Sequence, residues 1–372
     1  MSAMETIAAS ATTDLATTAM TVAACSGDGS VRIETRPRPT PGPGEMLLRL
    51  RVAGLCGTDL FKLRHAGAPA GTVLGHEVVG SVAALGEGVA GFALGDRVVV
   101  PHHVACGECD FCRRGSEPSC PAFRENLLAP GGFSDWVLVR ERAVRLAAFG
   151  LPTSLKDEAA VFLEPAACVL RGIRHARLAE TALTGPSPGC VVILGGGSMG
   201  LLHLLVLKAV HPGLRVVVSD PLEERRELAR NLGADAAVTP DAARGEVTAL
   251  SYGHGADAVF DTVGGAGPLE TALALSRPGG AVVLFAHADV DGSEKASFDL
   301  NAFFKSGRRL LATYSSALAE QREVYRLLVS GRLDPSPLVS HRFPLSNFMA
   351  AVELARERRV VKVLLVPDEE LL

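Results

Sequence analysis

The sequence predicts an α/β protein that combines a β-rich part with a doubly wound parallel sheet. Three observations support this fold class. The chain has 372 residues, which is long for one compact core, so we expect two domains. From Cys190 onward, apolar strands alternate with helical segments, as in a parallel sheet covered on both faces. From about Met20 to Arg145, short β segments are broken by glycine and proline.

Composition and charge narrow the classes of function. Hydrophobic residues make up 48% of the chain and glycine occupies 39 positions, which suits an α/β enzyme and argues against disorder. The net charge of −4 gives no electrostatic reason to expect nucleic acid or an acidic membrane surface. No apolar run is long and uncharged enough to span a bilayer. We therefore expect neither a nucleic-acid partner nor a membrane partner.

The first nineteen residues, "MSAMETIAASATTDLATTA", are expected to form a disordered extension outside the fold. They lack the basic start and apolar centre of a secretion signal, and they carry no arginine for a mitochondrial one. By default this favours a cytoplasmic protein.

The elements of the β-rich part are short. "EMLLRLRVAGL" alternates weakly, and "VVGSVAALG" and "DRVVVP" are brief apolar runs bounded by turn residues. "PRPTPGPGE", from Pro37 to Glu45, is a stiff connector that is incompatible with a helix. After Leu155, "KDEAAVFLEPAACVLRGIRHARL" has helical spacing around Pro165.

The alternating part begins with "CVVILGGGSMGLLHLLVLKAV", which predicts an apolar strand, a glycine turn and a long apolar helix. "LRVVVSD" follows as a second strand, and "PLEERRELARNLG" follows as an amphipathic helix ending at Gly233. "ADAVFDTVG", "GPLETALALS", "AVVLFA" and "RRLLATYS" continue the alternation. After about Phe304 the pattern becomes mixed and ends in "VVKVLLVP". We interpret the alternating part as an insertion that the C-terminal residues close.

The glycine turn predicts a dinucleotide site. Gly195, Gly197 and Gly200 fit the G-x-G-x-x-G pattern between a strand and a helix. Asp220 ends the next strand, and the phosphates would lie on the N–H groups of the helix that starts at Ser198. A purely structural turn is the alternative. The predicted cofactor contacts are Gly195, Gly197, Ser198, Met199, Gly200, Asp220 and Arg225.

Asp220 predicts NAD rather than NADP as the cofactor. Its carboxylate would accept hydrogen bonds from both hydroxyls of the adenine ribose and would repel a 2′-phosphate. Arg225 and Arg226 could instead welcome that phosphate. We interpret these two arginines as a solvated helix face beside Glu223 and Glu224.

Four of the eight cysteines crowd into "CGECDFCRRGSEPSC". Cys106, Cys109, Cys112 and Cys120 could close a tetrahedron around a structural zinc ion, with no position left open. An iron–sulfur cluster is a lesser alternative, because its bacterial spacing ends in three residues rather than seven. A pair of disulfides is less favoured still in a long chain without a signal peptide.

Two further motifs, "GLCGTDL" and "LGHEVVG", contain Cys56 and His76. Either residue alone is more often a buried thiol or a hydrogen-bonded core histidine. Together with the glycine turn and the four cysteines, however, they make the chain resemble the zinc-containing medium-chain dehydrogenases from about Met20 to Pro367. The resemblance also rests on "EPAAC", Asp220 and the closing "VKVLLVP". "CGTD", "GHE" and "EPAACVLRG" look most like the polyol (sorbitol) and threonine dehydrogenase branch.

The resemblance implies the organisation of the chain. It implies a GroES-like catalytic domain with the zinc sites over residues 20–166 and a Rossmann NAD-binding domain over 167–305. Residues 306–372 would return to the catalytic domain. It further implies two zinc ions per chain, one catalytic and one structural, and assembly into a homodimer or homotetramer.

The resemblance also implies a catalytic zinc bound by Cys56 and His76. The third ligand is either Glu77 or Glu164 of the "EP" motif. We expect Glu77, with Glu164 within reach of the metal or its water, because zinc favours S, N and O ligands with one position open for substrate. Cys168, four residues beyond Glu164, is interpreted as a small apolar filler.

In the implied reaction a zinc-bound substrate hydroxyl has a lowered pKa, and the hydride on its carbon passes to NAD+. Thr58 would accept the hydroxyl proton, and Asp59 would orient the ring of His76. Many relatives have a histidine where this chain has Phe61, so the proton would leave through ribose and water or through His65.

The sequence therefore predicts a zinc-dependent oxidoreductase that transfers hydride between NAD and a secondary alcohol, a polyol or a sugar derivative. Two alternatives stay open: a threonine-type amino alcohol dehydrogenase and a non-catalytic, NAD-binding zinc protein. A zinc-ribbon nucleic-acid binder is disfavoured because the chain has no basic stripe. His102 and His103, beside the four cysteines, are expected at the surface.

Overall fold

The computed structural model describes residues 18–65, 67–181, 188–289 and 294–371. Of the predicted disordered extension, residues 1–17 lie outside the described residues. Ala19 already begins the first strand. No helix in the described ranges is long and apolar enough to cross a membrane.

The chain divides into two compact units, which we call unit 1 and unit 2. Unit 1 comprises residues 1–164 and 339–372, and unit 2 comprises residues 165–338. Unit 1 has an eight-stranded sheet and a separate two-stranded sheet, and unit 2 has a six-stranded parallel sheet. Together these sheets confirm the predicted combination of a β-rich part with a parallel-sheet part.

Unit 1 contains ten strands and five helices in the described residues. The strands are β1 (Ala19–Cys25), β2 (Val31–Pro37), β3 (Met46–Gly54), β4 (Glu77–Leu85), β5 (Arg97–Pro101), β6 (Leu128–Ala129), β7 (Trp136–Val139), β8 (Phe149–Gly150), β15 (Val339–Pro344) and β16 (Lys362–Val366). The α-helices are α1 (Gly57–Arg64), α2 (Asp110–Arg113), α3 (Glu141–Ala147), α4 (Asp157–Ala160) and α13 (Phe348–Arg356).

The sheet of unit 1 has the order β15-β16-β3-β4-β5-β8, with β7 beside β3 and β6 beside β7. Its pairs are antiparallel except for β15 with β16. The register pairs Gly54 of β3 with Glu77 of β4 and with Leu364 of β16. The end of β3 and the start of β4 therefore meet beside the middle of β16, where "GLCGTDL" leaves β3 and "GHE" enters β4.

Unit 2 contains six parallel strands and eight α-helices in the described residues. The strands are β9 (Cys190–Leu194), β10 (Arg215–Ser219), β11 (Ala236–Val238), β12 (Ala256–Asp261), β13 (Ser276–Leu284) and β14 (Arg309–Ala312). The α-helices are α5 (Leu163–Ala176), α6 (Leu178–Thr181), α7 (Ser198–Val210), α8 (Glu223–Asn231), α9 (Ala243–Leu250), α10 (Ala266–Leu275), α11 (Leu300–Ser306) and α12 (Leu318–Val329). Helix α5 begins at the end of unit 1, and α11 precedes β14.

The strand order of unit 2, β11-β10-β9-β12-β13-β14, reverses direction at β9. A crevice at such a reversal, outside the carboxyl ends of the strands, is where open α/β sheets bind ligands. The core behind it is aliphatic, with Val192, Val217, Val259 and Val282 all fully buried. The glycine turn lies between β9 and α7, at this reversal.

The return to unit 1 starts at Val339, later than the predicted residue 306. β14 pairs in parallel with β13 and completes the six-stranded sheet. Helix α12 also belongs to unit 2. The segment "RRLLATYS", which the sequence analysis assigned to the alternation, supplies this last strand, so unit 2 extends beyond residue 306.

Candidate metal centres and cofactor site

Three potential ligand residues converge at one end of the unit 1 sheet. Cys56 precedes α1 directly after β3, and His76 precedes β4, where Glu77 faces Gly54 across the strand pair. The sulfur of Cys56, a ring nitrogen of His76 and a carboxylate oxygen of Glu77 all lie within 4.8 Å of one another. The antiparallel register thus joins residues that are twenty positions apart in sequence.

Asp59 fixes the geometry of two of these side chains. Its Oδ2 accepts a hydrogen bond of 3.1 Å from the backbone N–H of Cys56 at the start of α1. Its Oδ1 lies 3.4 Å from Nδ1 of His76, so the other ring nitrogen is left for a metal. Burial opposes a charge on His76, but Asp59 and Cys56 outweigh burial and raise the pKa of His76 well above its ordinary value.

Glu77 has a partner that the sequence analysis missed. Its carboxylate forms an ion pair with Lys362, the first residue of β16, and the two side chains are 0% and 2% exposed. A Cβ atom at position 54 would overlap Oε2 of Glu77, so glycine is required there. A lysine inside the apolar run "VVKVLLVP" was the available signal, because lysine is rarely fully buried unless it is paired.

These residues fit a zinc ion by the chemistry of their donors. A thiolate, an imidazole and a carboxylate supply the S, N and O atoms of a catalytic zinc site and leave a fourth position open. Glu164 is also buried, 8% exposed, and lies in the first turn of α5. Among the described residues, Glu164 is not one of those whose ligand atoms lie within 4.8 Å of one another. Thr58, half-buried in the first turn of α1, lies two residues after Cys56.

His102 and His103 are not the surface residues that we expected. The ring of His102 lies 4.7 Å from that of His76 and 3.6 Å from that of His103. Burial and the charge of His76 lower the pKa of both, for His103 to about 4. The expectation failed because β5 runs beside β4, which places the residues after β5 next to His76.

The two residues named for the proton exit, Phe61 and His65, lie beside each other, and the exit route itself stays a prediction. The rings of Phe61 and His65 lie 4.5 Å apart on α1 and just after it. The phenyl ring therefore occupies space beside the imidazole.

The four cysteines of the second motif form a compact sulfur cluster. The Sγ atoms of Cys109 and Cys112 lie 3.5 Å apart, those of Cys106 and Cys120 lie 3.6 Å apart, and those of Cys106 and Cys112 lie 3.8 Å apart. A ZnS₄ tetrahedron with bonds of about 2.3 Å has edges of about 3.8 Å. The cluster therefore fits a structural zinc ion.

The pKa values of these thiols explain why a cation belongs there. Backbone N–H groups of Glu108 and Cys109 lower the pKa of Cys106 to about 6. Burial and the neighbouring thiols raise the pKa of Cys112 to about 12. A cation between the sulfur atoms would favour the thiolate form of Cys112, whose pKa is otherwise raised.

In unit 2, the glycine turn is as tight as the motif predicts. A Cβ atom at Gly200 would overlap the carbonyl oxygen of Gly195, so this helix turn can approach the strand only with glycine. Gly197 precedes α7, and a Cβ built there would meet no atom within 4 Å. Open space therefore lies in front of the helix N-terminus, where Ser198 and Met199 form the first turn, and this space suits a phosphate.

Asp220 is held by the turn itself. Its Oδ2 accepts a hydrogen bond of 2.7 Å from the N–H of Gly196, and its Oδ1 accepts one of 2.8 Å from the N–H of Leu222. Each carboxylate oxygen can accept a second hydrogen bond, so both remain suited to ribose hydroxyls. Asp220 is 8% exposed at the end of β10.

The arginines of α8 are buried, which corrects our interpretation of a solvated face. Arg225 and Arg226 are 6% and 9% exposed. Arg226 donates to the backbone carbonyls of Asp220 and Pro221, and the Cβ of Arg225 lies 3.1 Å from a Cβ built at Gly196. The charged sequence of α8 suggested solvent, but both arginines fold back onto the strand end.

Comparison with known proteins matches both units. Residues 42–148 match the family described as "Alcohol dehydrogenase GroES-like domain". Residues 198–330 match the family described as "Zinc-binding dehydrogenase". The first match contains the Cys56 motif and the four cysteines, and the second contains Gly200 and Asp220.

Individual relatives extend over most of the chain. An L-threonine 3-dehydrogenase of Pyrococcus abyssi is 32% identical over 86% of this chain and 90% of its own length. The solved structure of alcohol dehydrogenase TADH from Thermus sp. ATN1 is 30% identical, with a TM-score of 0.79 over 93% of this chain and 99% of its own. A Sinorhizobium meliloti 1021 structure, described as a zinc-binding dehydrogenase bound to NADP, is 28% identical, with a TM-score of 0.79 over 94% of this chain and 99% of its own. The chain belongs to the zinc-containing medium-chain dehydrogenases.

Proposed function

We propose that this dehydrogenase oxidises a secondary alcohol, a polyol or a sugar derivative with NAD+, using a zinc ion bound by Cys56, His76 and Glu77. The observation that carries the proposal is the convergence of three different donor types within 4.8 Å at the end of β3 and β4. Membership in a dehydrogenase family favours this reading over a non-catalytic zinc protein.

Zinc bound there would act as a Lewis acid that lowers the pKa of the substrate hydroxyl. The hydroxyl of Thr58, in the first turn of α1, accepts the proton that this hydroxyl loses. Asp59 keeps the ring of His76 in one orientation through Nδ1. NAD+ bound at the glycine turn would supply the acceptor for the hydride of the substrate carbon.

The buried lysine explains why Glu77 and Glu164 both remain candidates for the third ligand. Lys362 competes with the metal for the carboxylate of Glu77. If the carboxylate of Glu77 stays on Lys362, the position that it leaves on a bound metal would be available to Glu164 or to a water molecule. We keep Glu77 as the ligand and Glu164 as a residue within reach of the metal or its water.

The second zinc site is proposed at Cys106, Cys109, Cys112 and Cys120, with a structural role only. Four sulfur ligands leave no position open for a substrate. Its effect is to hold the segment that packs Phe123 and Ala105 against the cysteines.

NAD is the proposed cofactor because Asp220 is buried at the strand end where the ribose would lie. A negative carboxylate there disfavours the 2′-phosphate of NADP. Arg225, packed beside Gly196, is the group that could favour NADP, the cofactor bound in the Sinorhizobium meliloti structure. The remaining predicted contacts are Gly195, Gly197, Ser198, Met199 and Gly200.

A second substrate class, an amino alcohol of the threonine type, is favoured by the similarity to an L-threonine 3-dehydrogenase. The test is a screen of secondary alcohols, polyols, sugars and L-threonine with NAD+ and with NADP+, following absorbance of the reduced cofactor. Turnover of an alcohol that stops on mild chelation supports the proposal. No turnover of any alcohol by the zinc-loaded protein would contradict it.

A further inference from the structure

A cavity of about 420 Å³ lies in unit 1 and is lined by none of the candidate zinc ligands. We call it the Arg51 pocket, and its charged lining residues are Arg51, Arg97, Lys156, Asp157, Glu158 and Arg342. Arg51 belongs to β3, Arg97 begins β5, and Arg342 belongs to β15. The acidic residues and Lys156 come from the start of α4.

The charge of the Arg51 pocket is unbalanced. Four cationic side chains face two carboxylates, which leaves a surplus of two positive charges. Cations that share a concave wall concentrate their field and attract anions. Because the whole chain carries a net charge of −4, this local surplus is opposite in sign to the average surface.

Part of the charge serves the fold. Asp157 bridges two arginines, with Oδ1 2.8 Å from Nη1 of Arg97 and Oδ2 2.6 Å from Nε of Arg51. The other terminal nitrogen of Arg97 donates to the carbonyls of Pro152 and Leu155. Asp157 and Arg97 are therefore fixed in position by several partners and line one wall of the pocket.

The remaining cations keep donors available. Arg51 uses only Nε on Asp157, and none of the described hydrogen bonds or ion pairs involves its two terminal amino groups. Lys156 is exposed at the mouth, and its ammonium group has no ion pair among the described residues. The side chain of Arg342 pairs with Glu158 and is still 40% exposed.

The position of Arg51 is set by the sheet. The β3–β4 pairing shifts register between Leu50 and Val52, so Arg51 lies in a bulge. A bulge re-aims a side chain that regular pairing would direct elsewhere. Its guanidinium is then held by Asp157, so little conformational entropy remains to be lost when an anion binds.

We propose that the Arg51 pocket binds a small oxyanion with two negative charges, a phosphate group in inorganic phosphate or in a phosphate monoester. A dianion matches the surplus of two positive charges. The terminal amino groups of Arg51 can hold two phosphate oxygens in the planar fork geometry, and Lys156 can reach a third. This site is independent of the proposed alcohol chemistry.

The test is calorimetric titration of inorganic phosphate into the NAD-saturated protein at constant ionic strength. NAD is included because it would occupy the glycine turn at Gly200, so that the added phosphate can bind only at other sites. We expect one phosphate per chain. Lys156→Gln and Arg51→Lys should each weaken phosphate binding about tenfold, the effect of losing one charge-assisted contact.

The control is Lys305→Gln, which removes the same charge from an exposed position of α11 and should leave the affinity unchanged. A parallel titration with glycerol phosphate distinguishes the two sources: tighter binding of the ester assigns an organic phosphate, and tighter binding of inorganic phosphate assigns the free ion. No saturable binding to the unmodified chain, or pocket variants that bind phosphate as tightly as the unmodified chain does, would overturn the proposal. Because the result is a difference between variants, it holds whether or not the cofactor is NAD.

Discussion

At the scale of single residues, the buried pair of Glu77 and Lys362 governs the proposed catalytic site. Burial disfavours the charge on Lys362, but Glu77 and Cys56 outweigh burial and raise the pKa of Lys362 above its ordinary value. The ammonium group of Lys362 is therefore favoured in its charged form when the metal is absent. Without zinc, the carboxylate of Glu77 pairs with Lys362. With zinc bound, it could pair with either Lys362 or the metal.

Replacing this lysine tests the pairing. Lys362→Met leaves the carboxylate of Glu77 buried without a partner, which should cost about 3–5 kcal/mol of unfolding free energy in protein treated with a chelator. Zinc should reduce this loss, because the metal supplies the missing positive charge. Urea unfolding with and without zinc measures both values, with exposed Lys305→Met as the control. A loss no larger than that of the control would show that Glu77 and Lys362 are not a coupled pair.

The second residue-scale prediction concerns cofactor choice. Asp220→Ser should weaken NAD+ binding by about 1–3 kcal/mol through the loss of charge-assisted hydrogen bonds, and it should improve NADP+ binding relative to NAD+. Calorimetric titration of both cofactors gives the two affinities. Asp220→Asn controls for the turn, since its side-chain oxygen can still accept from one backbone N–H. An unmodified chain that already prefers NADP+ would transfer the role to Arg225.

The third residue-scale prediction concerns the proton. Thr58→Ala should keep both zinc ions but lower turnover by a factor on the order of 10²–10⁴. Hydroxide can take the substrate proton directly, so part of the loss should disappear at high pH. The pH–rate profile and the zinc content of Thr58→Ala and Thr58→Ser decide the role. Equal activity of the alanine and serine variants would make Thr58 a structural residue of the helix turn.

At the scale of elements, α7, the helix after the glycine turn, carries a buried histidine that makes the stability of the fold depend on pH. His203 is 0% exposed, its Nδ1 lies 2.7 Å from the carbonyl of Met199, and its ring packs edge-on against Phe285. Burial lowers the pKa of His203 to about 4. The folded helix therefore holds this ring neutral at ordinary pH.

Stability should accordingly fall in acid. The folded pKa is below the ordinary value of 6.5, so the unfolded chain binds the proton first as the pH falls. The neutral ring makes its full contribution to the free energy of unfolding above about pH 6.5. This contribution is lost as the pH falls toward about 4, and the loss reaches about 2 kcal/mol at about pH 5. His203→Leu should lose less stability than the unmodified chain between about pH 7.5 and about pH 5, as measured by urea unfolding. Equal losses in both proteins would contradict the buried neutral ring.

The elements also show which features the sequence can predict. Alternating apolar runs and glycines indicated the parallel sheet because period and turn chemistry are local properties. Lys362 was missed because its pairing with Glu77 depends on the register of β16 against β3, which lies far away in sequence. His102 was placed at the surface for the same reason, since only the β4–β5 pairing brings it to His76.

At the scale of the whole molecule, two proposed metal centres with different chemistry share unit 1. The four-cysteine site has every position filled by sulfur, whereas the site of Cys56, His76 and Glu77 keeps one position open. Metal exchange is slow from a closed thiolate site and faster from an open one. The whole chain should therefore hold two zinc ions that leave at different rates.

The most direct test is to measure zinc content, activity and circular dichroism together during mild chelation. We predict two zinc ions per chain at the start, and loss of about one should abolish alcohol oxidation while the fold persists. Cys56→Ala should behave like the chelated protein, whereas Cys112→Ser should lose stability. A fully active protein with a single zinc ion per chain, or activity that survives the loss of the labile ion, would contradict the account.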